Sequence, residues 1–216
     1  MNNNLLINNR ITLIDKLSSR ILDNPYLFNY VRFLLAGKQT RMKDFIKTTL
    51  LRYKCQSMAD ICSGTGDFAE LIQDDFPYIG WDINSDFVKF ARQRYKGKKN
   101  KIFVKSNVLT SDEVIGKKYD AVLMVSAVHH FSDKELEKLL PRINSIMNKV
   151  LVIADIIPNP PHPIQKFFAR VDRGKFVRPA EEKIRILKKY FKVVKTQEIP
   201  TRSAVQLGIV CEKKKK

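Results

Sequence analysis

From residue 57 to residue 156 the sequence alternates short apolar runs with segments of helical periodicity. The apolar runs lie at residues 57–61, 78–83, 101–106, 119–125 and 149–157. Between most of these runs, apolar residues recur at three- and four-residue spacing, as they do on amphipathic helices. This alternation predicts parallel strands joined by right-handed helical crossovers, which gives a three-layer α/β sandwich. The last run is apolar on both faces, so we expect a central strand there.

The segments on either side of this alternation predict helices before it and a hairpin after it. The predicted helices cover residues 5–22, 26–35 and 40–53, and the hairpin strands cover residues 191–198 and 204–212. Four prolines between residues 158 and 163 exclude regular structure, so the chain should leave the sheet there. We therefore predict an N-terminal helical lid at 1–56 and a domain at 57–216, with an insertion at about 158–178.

One loop, residues 60–67, concentrates the chemistry expected of a nucleotide site. Gly64 and Gly66 are two of only eight glycines in the chain. A strand that turns sharply into a helix needs glycine, and the helix start offers free N–H groups to a ligand. Residues 64–69 match the G-x-G-x-x-A pattern of dinucleotide folds. Asp60 and Asp67, however, would repel a pyrophosphate and attract the cationic groups of S-adenosylmethionine.

A second carboxylate lies at the distance expected for binding a ribose. Asp82 ends the next apolar run, sixteen residues after Gly66. At that position a carboxylate can accept hydrogen bonds from both ribose hydroxyls. Dinucleotides and S-adenosylmethionine share this feature, so it supports a nucleoside site without choosing between them.

Four segments in order, DICSGTGDFAEL, YIGWDI, FVKSNVL and YDAVLMVSAVHHF, resemble the class I S-adenosylmethionine-dependent methyltransferases. The GTGD loop is similar to that of the ubiquinone/menaquinone-type enzymes and their small-molecule relatives. The resemblance implies S-adenosylmethionine as cofactor and a seven-stranded sheet in the order 3-2-1-4-5-7-6, with the last strand antiparallel. The cofactor-binding residues that it implies are Asp60, Cys62, Gly64, Thr65, Gly66, Asp67, Asp82, Ile83, Asn107, Val108 and Ser126. Two of them depart from the family pattern: Cys62 replaces a glycine, and Asn107 replaces an acidic residue.

Methyl transfer is an in-line displacement, so catalysis consists mainly of alignment and, where needed, removal of a proton from the acceptor. His129 and His130 follow the fourth strand at the edge where open α/β sheets bind ligands, and they are the candidate bases. Asp155 ends the fifth strand at the same edge and could orient a histidine. Alternatively, one histidine caps the following helix and the other only packs. The three cysteines have no metal-site spacing, so we predict no metal.

The net charge of +18 is confined to the two flanks of the chain. Residues 1–56 carry a net +7 and residues 162–216 a net +11, while the middle is neutral. In this fold family the corresponding segments usually cover the acceptor, so we predict a small or lipid-like, anionic acceptor. Tyr26, Tyr30, Arg173 and Arg178 are the predicted substrate-binding residues. The same charge also suits attraction to nucleic acid or to a membrane surface.

Three other functions stay open at this point. A methyltransferase for structured RNA would use the basic flanks to bind phosphates. A non-catalytic module could keep the cofactor fold, which the departures at Cys62 and Asn107 would permit. An NAD-linked oxidoreductase fits the glycine pattern alone. No apolar run approaches the length of a membrane span, so we predict a cytoplasmic protein, and the sequence does not indicate its oligomeric state.

Overall fold

Seven strands form a single sheet in the computed structural model, which describes residues 24–114, 116–158, 175–202 and 204–214. The strands are β1 Met58–Ile61, β2 Tyr78–Asp82, β3 Lys101–Lys105, β4 Tyr119–Val125, β5 Met147–Ile156, β6 Phe191–Pro200 and β7 Val205–Lys213. Their order is β3-β2-β1-β4-β5-β7-β6. The first five strands run parallel, and β7 pairs antiparallel with both β5 and β6. The predicted sheet order is confirmed.

Five α-helices accompany these strands in the described part of the chain. They are α1 Pro25–Ala36, α2 Thr40–Arg52, α3 Ser85–Arg94, α4 Asp133–Ile146 and α5 Ala180–Tyr190. The start signal predicted for α1 is present, because the Asn24 side chain accepts hydrogen bonds from the Tyr26 and Leu27 amides. None of the described helices is long and apolar enough to cross a membrane. The helix predicted at residues 5–22 lies outside the described residues.

The core consists of two apolar clusters, one on each face of the sheet. The first cluster joins Leu139 and Ile143 of α4 to Ile186 of α5, beneath β4, β5 and β7. The second cluster includes Phe45 and Ile46 of α2 on the opposite face. Every residue from Val150 to Ile156 is buried, as a strand between two helical layers requires. The predicted central strand and three-layer sandwich are therefore present.

Helix α2 belongs to this core, although it falls within the predicted lid at residues 1–56. Met42 and Ile46 are at most 1% exposed. The Phe45 ring packs so tightly against β7 that a Cβ on Gly208 would lie 2.8 Å from it. A separate lid would leave this face of the sheet in water. Helix α2 thus packs in the core of the sheet, and the division at residue 56 stays a prediction.

The predicted helix after the glycine loop does not form. Residues 62–77 contain turns and one short 3₁₀ segment, Ala69–Leu71. The loop uses the first residues of this connection for its left-handed turns, and those that remain are too few for a helix and a return to β2. Phe68, Ala69 and Ile72 instead pack in the cluster that contains α2. The free helix N-terminus that the sequence predicted at this loop is therefore absent from the residues 62–77.

The burial of α2 can be tested by comparing two substitutions on the same helix. Ile46→Ala should lower the free energy of unfolding by about 2 to 4 kcal/mol, because Ile46 is fully buried and a cavity would remain. Leu51→Ala should change it by about 0.5 kcal/mol or less, because Leu51 is 68% exposed. Urea unfolding measures both. Equal, small effects would show that α2 is not part of the core.

Candidate functional site

A cavity of about 490 Å³ opens at the carboxyl ends of the central parallel strands. Its wall is built from the residues that follow β1, β2, β3 and β4, and helix α1 closes one side with Phe28 and Arg32. Parallel strands bring their carboxyl ends to one edge of a sheet, which is why distant segments of sequence meet here. Ten of the predicted cofactor residues line the cavity: Asp60, Cys62, Gly64, Thr65, Asp67, Asp82, Ile83, Asn107, Val108 and Ser126.

Gly66 is the predicted cofactor residue that does not line the cavity. Its φ of +78° lies in the left-handed region, and a Cβ would lie 2.8 Å from Cε1 of Phe103. The Tyr95 hydroxyl donates to the Gly66 carbonyl at 2.9 Å. Gly66 thus lets the loop pack against the Phe103 and Tyr95 rings, a structural requirement for glycine.

Asp82 accepts two backbone hydrogen bonds, one from the glycine loop and one from the residues just after β2. One carboxylate oxygen accepts from the Gly64 amide and the other from the Asn84 amide, each at 2.8 Å. Burial raises the pKa of Asp82, and the amide hydrogen bonds act against that shift. Each carboxylate oxygen can accept a second hydrogen bond, so Asp82 can hold the loop and still bind ligand hydroxyls.

The two acidic residues of the loop differ in their charge. Asp60 is 1% exposed and accepts a hydrogen bond from the Tyr78 hydroxyl at 2.9 Å. Burial raises the pKa of Asp60 to about 7, so near neutral pH it is ionised in only about half of the molecules. Asp67 forms ion pairs with Arg32 of α1 and, at 2.6 Å, with Arg94 of α3. The repulsion of pyrophosphate predicted from Asp60 and Asp67 therefore holds only in part, because two arginines balance Asp67.

Helix α1 meets the loop through its inner face. The Thr65 hydroxyl donates to Asn29 Oδ1 at 2.8 Å, and the Phe28 ring packs on Phe87 at 4.8 Å between centroids. Burial, and then the neighbouring Arg94, lower the pKa of Arg32 to about 10. Arg32 therefore remains a cation at neutral pH. This contact between Arg32 and the loop was not predicted, although helical periodicity places Arg32 one turn from Phe28.

Tyr26 and Tyr30, the aromatic residues predicted to bind substrate, lie on the other face of α1. They are 72% and 61% exposed, and neither lines the cavity. Tyr26 contacts Phe90 edge-on instead. Both tyrosines lie on the face of α1 opposite Phe28 and Arg32, and aromatic character alone does not show which side of a helix points inward.

The two candidate bases occupy different environments. His130 lines the cavity, whereas His129 is 2% exposed and does not. Nδ1 of His129 lies 2.5 Å from Oδ1 of Asp155, and Oδ2 of Asp155 lies 2.8 Å from Nζ of Lys183. Burial acts to raise the pKa of Asp155, but His129 and Lys183 together lower it. Asp155 orients a histidine as predicted, but that histidine is the buried one. Lys183 was missed, since a lysine on α5 carries no sequence signal for burial.

The Arg178 side chain is buried and paired within the protein, and it does not line the cavity. Its side chain is 6% exposed and forms an ion pair with Asp133 at 2.7 Å. Its guanidinium also donates to the Phe131 and Phe176 carbonyls, at 2.8 and 3.0 Å. These contacts tie the segment before α5 to the start of α4. The substrate-binding role of Arg178 stays a prediction for a residue that does not line the cavity, and Arg173 lies outside the described residues.

Two buried hydroxyls at the cavity have no hydrogen-bond partner within the described residues. Ser63 and Ser106 are 7% and 8% exposed, and both line the cavity. A buried polar group without a partner is costly, so such groups at a cavity wall are suited to bind a polar ligand. Ser106 directly follows β3, a position at the binding edge that could have identified it. The described residues contain no cluster of three or more His, Cys, Asp or Glu side chains suited to a metal ion.

The family model and the curated relative that match this chain by sequence are both methyltransferases. A family model described as a methyltransferase domain matches residues 58–149. Demethylmenaquinone methyltransferase from Thermotoga maritima is 24% identical over 148 residues, covering 66% of this chain and 61% of that enzyme. The chain therefore spans less than two thirds of the length of this relative.

Solved structures show the same architecture. Magnesium protoporphyrin IX methyltransferase from Synechocystis PCC 6803, with bound SAH, superposes with a TM-score of 0.65 at 18% identity, covering 82% of this chain and 84% of that one. A putative O-methyltransferase from Nostoc punctiforme PCC 73102 gives a TM-score of 0.66 at 18% identity, covering 82% and 57%. These likenesses show that the chain shares the fold of these enzymes.

Residues 58–149 match a methyltransferase domain, and the sheet order and the superposed structures show the fold of the class I S-adenosylmethionine-dependent methyltransferases. The match supports, over these residues, the resemblance inferred from the sequence.

The structure shows what the departure from the family pattern at Cys62 means for the backbone. Cys62 has a φ of +60°, so this position requires the left-handed backbone that glycine adopts most readily. Burial, with the nearby Asp82 and Asp60, raises the pKa of the Cys62 thiol far above its usual value. The thiol is therefore a packing group and not a reactive thiolate.

The raised pKa of Asp60 predicts how stability depends on pH. An acid whose pKa is higher in the folded state costs stability as pH rises from its unfolded pKa to its folded pKa, here from about 4 to about 7. Asp60→Asn removes this cost. Its free energy of unfolding, relative to the wild type, should rise by about 2 to 3 kcal/mol between pH 5 and pH 8. Urea unfolding at the two pH values measures it. A difference that does not depend on pH would show that Asp60 titrates normally.

Proposed function

We propose that this chain is a methyltransferase that uses S-adenosylmethionine to methylate a small or lipid-like acceptor. The observation that carries the proposal is the cavity at the strand ends, with the Asp82 carboxylate positioned by the Gly64 and Asn84 amides. Its volume of about 490 Å³ lies in the range of small-molecule and cofactor sites. The match of residues 58–149 to a methyltransferase domain also supports methyl transfer as the reaction.

The residues at the wall fit the groups of this cofactor. Asp82 would accept hydrogen bonds from the ribose hydroxyls, and Asn107 and Val108 would border the adenine. The unpartnered hydroxyls of Ser63 and Ser106 are available to polar atoms of the nucleoside. Asp60, partly ionised at neutral pH, would gain charge beside the cofactor's ammonium group, since a nearby cation favours the carboxylate.

Within this site the chain's residues align the acceptor and accept its proton. S-adenosylmethionine supplies the methyl group on a sulfonium, and an in-line transfer needs little covalent help from the protein. His130 would take a proton from an acceptor hydroxyl or amine, because it is the histidine at the wall. His129 lies against His130, with 4.2 Å between ring centroids, and its pairing with Asp155 holds it in place. His129 would therefore position His130 and not touch the acceptor.

The anionic character of the acceptor is a further part of the proposal, and it rests on sequence charge. Residues 162–216 carry a net +11, and Arg173 lies in that segment. The described wall itself holds four carboxyl groups, those of Asp60, Asp67, Asp82 and Glu135, against the single arginine Arg32. An anionic group on the acceptor would therefore have to bind residues of the basic flanks and not the described wall.

Transfer of a labelled methyl group tests the proposed function. The protein is incubated with methyl-labelled S-adenosylmethionine and a fractionated cell extract, and label should enter a small-molecule or lipid fraction. His130→Ala should slow transfer about a hundredfold or more with little change in cofactor affinity, since general bases contribute roughly that factor. Label in RNA alone would reject the proposed acceptor class. Tight cofactor binding with no labelled fraction would reject the enzyme.

The role of Asp82 is tested by cofactor affinity. Asp82→Ala should weaken S-adenosylmethionine binding by about 1.5 to 3 kcal/mol, the value typical of hydrogen bonds to a charged group. Asp86→Ala is the matched control, because Asp86 is an exposed carboxylate four residues away that does not line the cavity. Titration calorimetry measures both. Unchanged affinity in the Asp82 variant would remove the ribose contact.

A further inference from the structure

Helix α1 separates the cavity from an exposed apolar stripe on its opposite face. Phe28 and Arg32 line the cavity. The outward residues are large and apolar, and they form the outer stripe of α1: Tyr26, Leu27, Tyr30, Phe33 and Leu34, exposed by 72%, 37%, 61%, 52% and 45%. At about 100° per residue these five side chains fall within an arc of about 120°.

Such a stripe is unusual on a folded domain. Single exposed apolar side chains are ordinary, but a contiguous set marks a surface that binds something. The core of the domain does not need these side chains, because α1 already contacts the loop through Asn29 and Arg32 and contacts α3 through Phe28. The outer stripe of α1 therefore contributes little to the fold as described.

The charges at the C-terminal end of the stripe are positive, while Asp86 and Lys89 both lie beside Tyr26 at the other end. Helix α1 contains no Asp or Glu. Lys38 and Arg41 are exposed just beyond its C-terminal end, and Arg202 donates to the Leu34 carbonyl at 3.2 Å. The whole chain carries a net charge of +18. An apolar stripe with aromatic side chains and a cationic edge is complementary to the interface of an anionic bilayer.

We propose that the outer stripe of α1 binds the surface of a membrane that contains anionic lipids. At twelve residues α1 is about 18 Å long, so it would lie in the plane of the interface and not cross the bilayer. Tyrosine and phenylalanine would enter the headgroup boundary while the cations contact lipid phosphates. A second copy of this chain is a poorer partner, because a symmetric contact would bring the two cationic edges together.

Vesicle co-sedimentation tests this surface without S-adenosylmethionine, so its outcome is independent of the proposed function. The full chain should bind vesicles of phosphatidylglycerol and phosphatidylcholine more tightly than vesicles of phosphatidylcholine alone, and added salt should weaken binding. Tyr30→Ser combined with Phe33→Ser should reduce the partition coefficient about tenfold or more, because two interfacial side chains are lost. Leu51→Ser combined with Ile102→Ser is the matched control, since these residues are 68% and 50% exposed but lie on α2 and β3.

The proposal predicts loss of binding in the stripe variant alone, with both variants folded by circular dichroism. No binding of the wild type to anionic vesicles would overturn it. Equal binding by the two variants would also overturn it, in favour of charge alone. If the stripe variant instead abolishes a dimer seen by sedimentation, the occupant is a second copy. If it lowers the unfolding midpoint and leaves vesicle binding unchanged, the occupant is the segment 1–23 of this chain.

Discussion

The hydrogen bond from the Gly64 amide to Asp82 joins the loop after β1 to the end of β2, and the site depends on it. The loop after β1 contains three residues with positive φ, Cys62, Gly64 and Gly66. Left-handed backbone is costly for a side-chain-bearing residue, so the loop needs an external anchor to remain in this form. Asp82 provides that anchor from β2. The same carboxylate that would bind the ribose therefore also shapes the wall on which the ribose would lie.

Much of the fold followed from periodicity. The parallel strands and the burial of β5 followed from the apolar runs and their spacing, whereas the sheet order followed from the family resemblance. The connection after β1 was predicted wrongly as a helix, because Phe68 and Ile72 have helical spacing but pack against α2. A local apolar pattern indicates which residues are buried more reliably than it indicates the type of secondary structure in which they lie.

A residue at the end of a parallel strand could be placed from topology, because topology fixes its location at the binding edge. Asp82 ends β2 and lines the cavity, as do Asn107 and Ser126, which the family resemblance implied. Side chains on helices were less predictable. Tyr30 and Arg178 were chosen for their chemical type, but exposure and pairing depend on neighbours that are distant in sequence. The Arg32 and Lys183 ion pairs were missed for the same reason, since each joins residues at least 28 positions apart.

The attachment of α1 to the loop makes this helix part of the site's energetics. Arg32 and Asn29 bind Asp67 and Thr65, so a displacement of α1 must break these contacts or carry the loop along. Thermodynamic linkage makes such coupling reciprocal: whatever stabilises one position of the helix stabilises the matching arrangement of the loop, and a molecule held by the loop does the same for the helix. Binding in the cavity and binding at the outer stripe of α1 are thus linked through these two side-chain contacts.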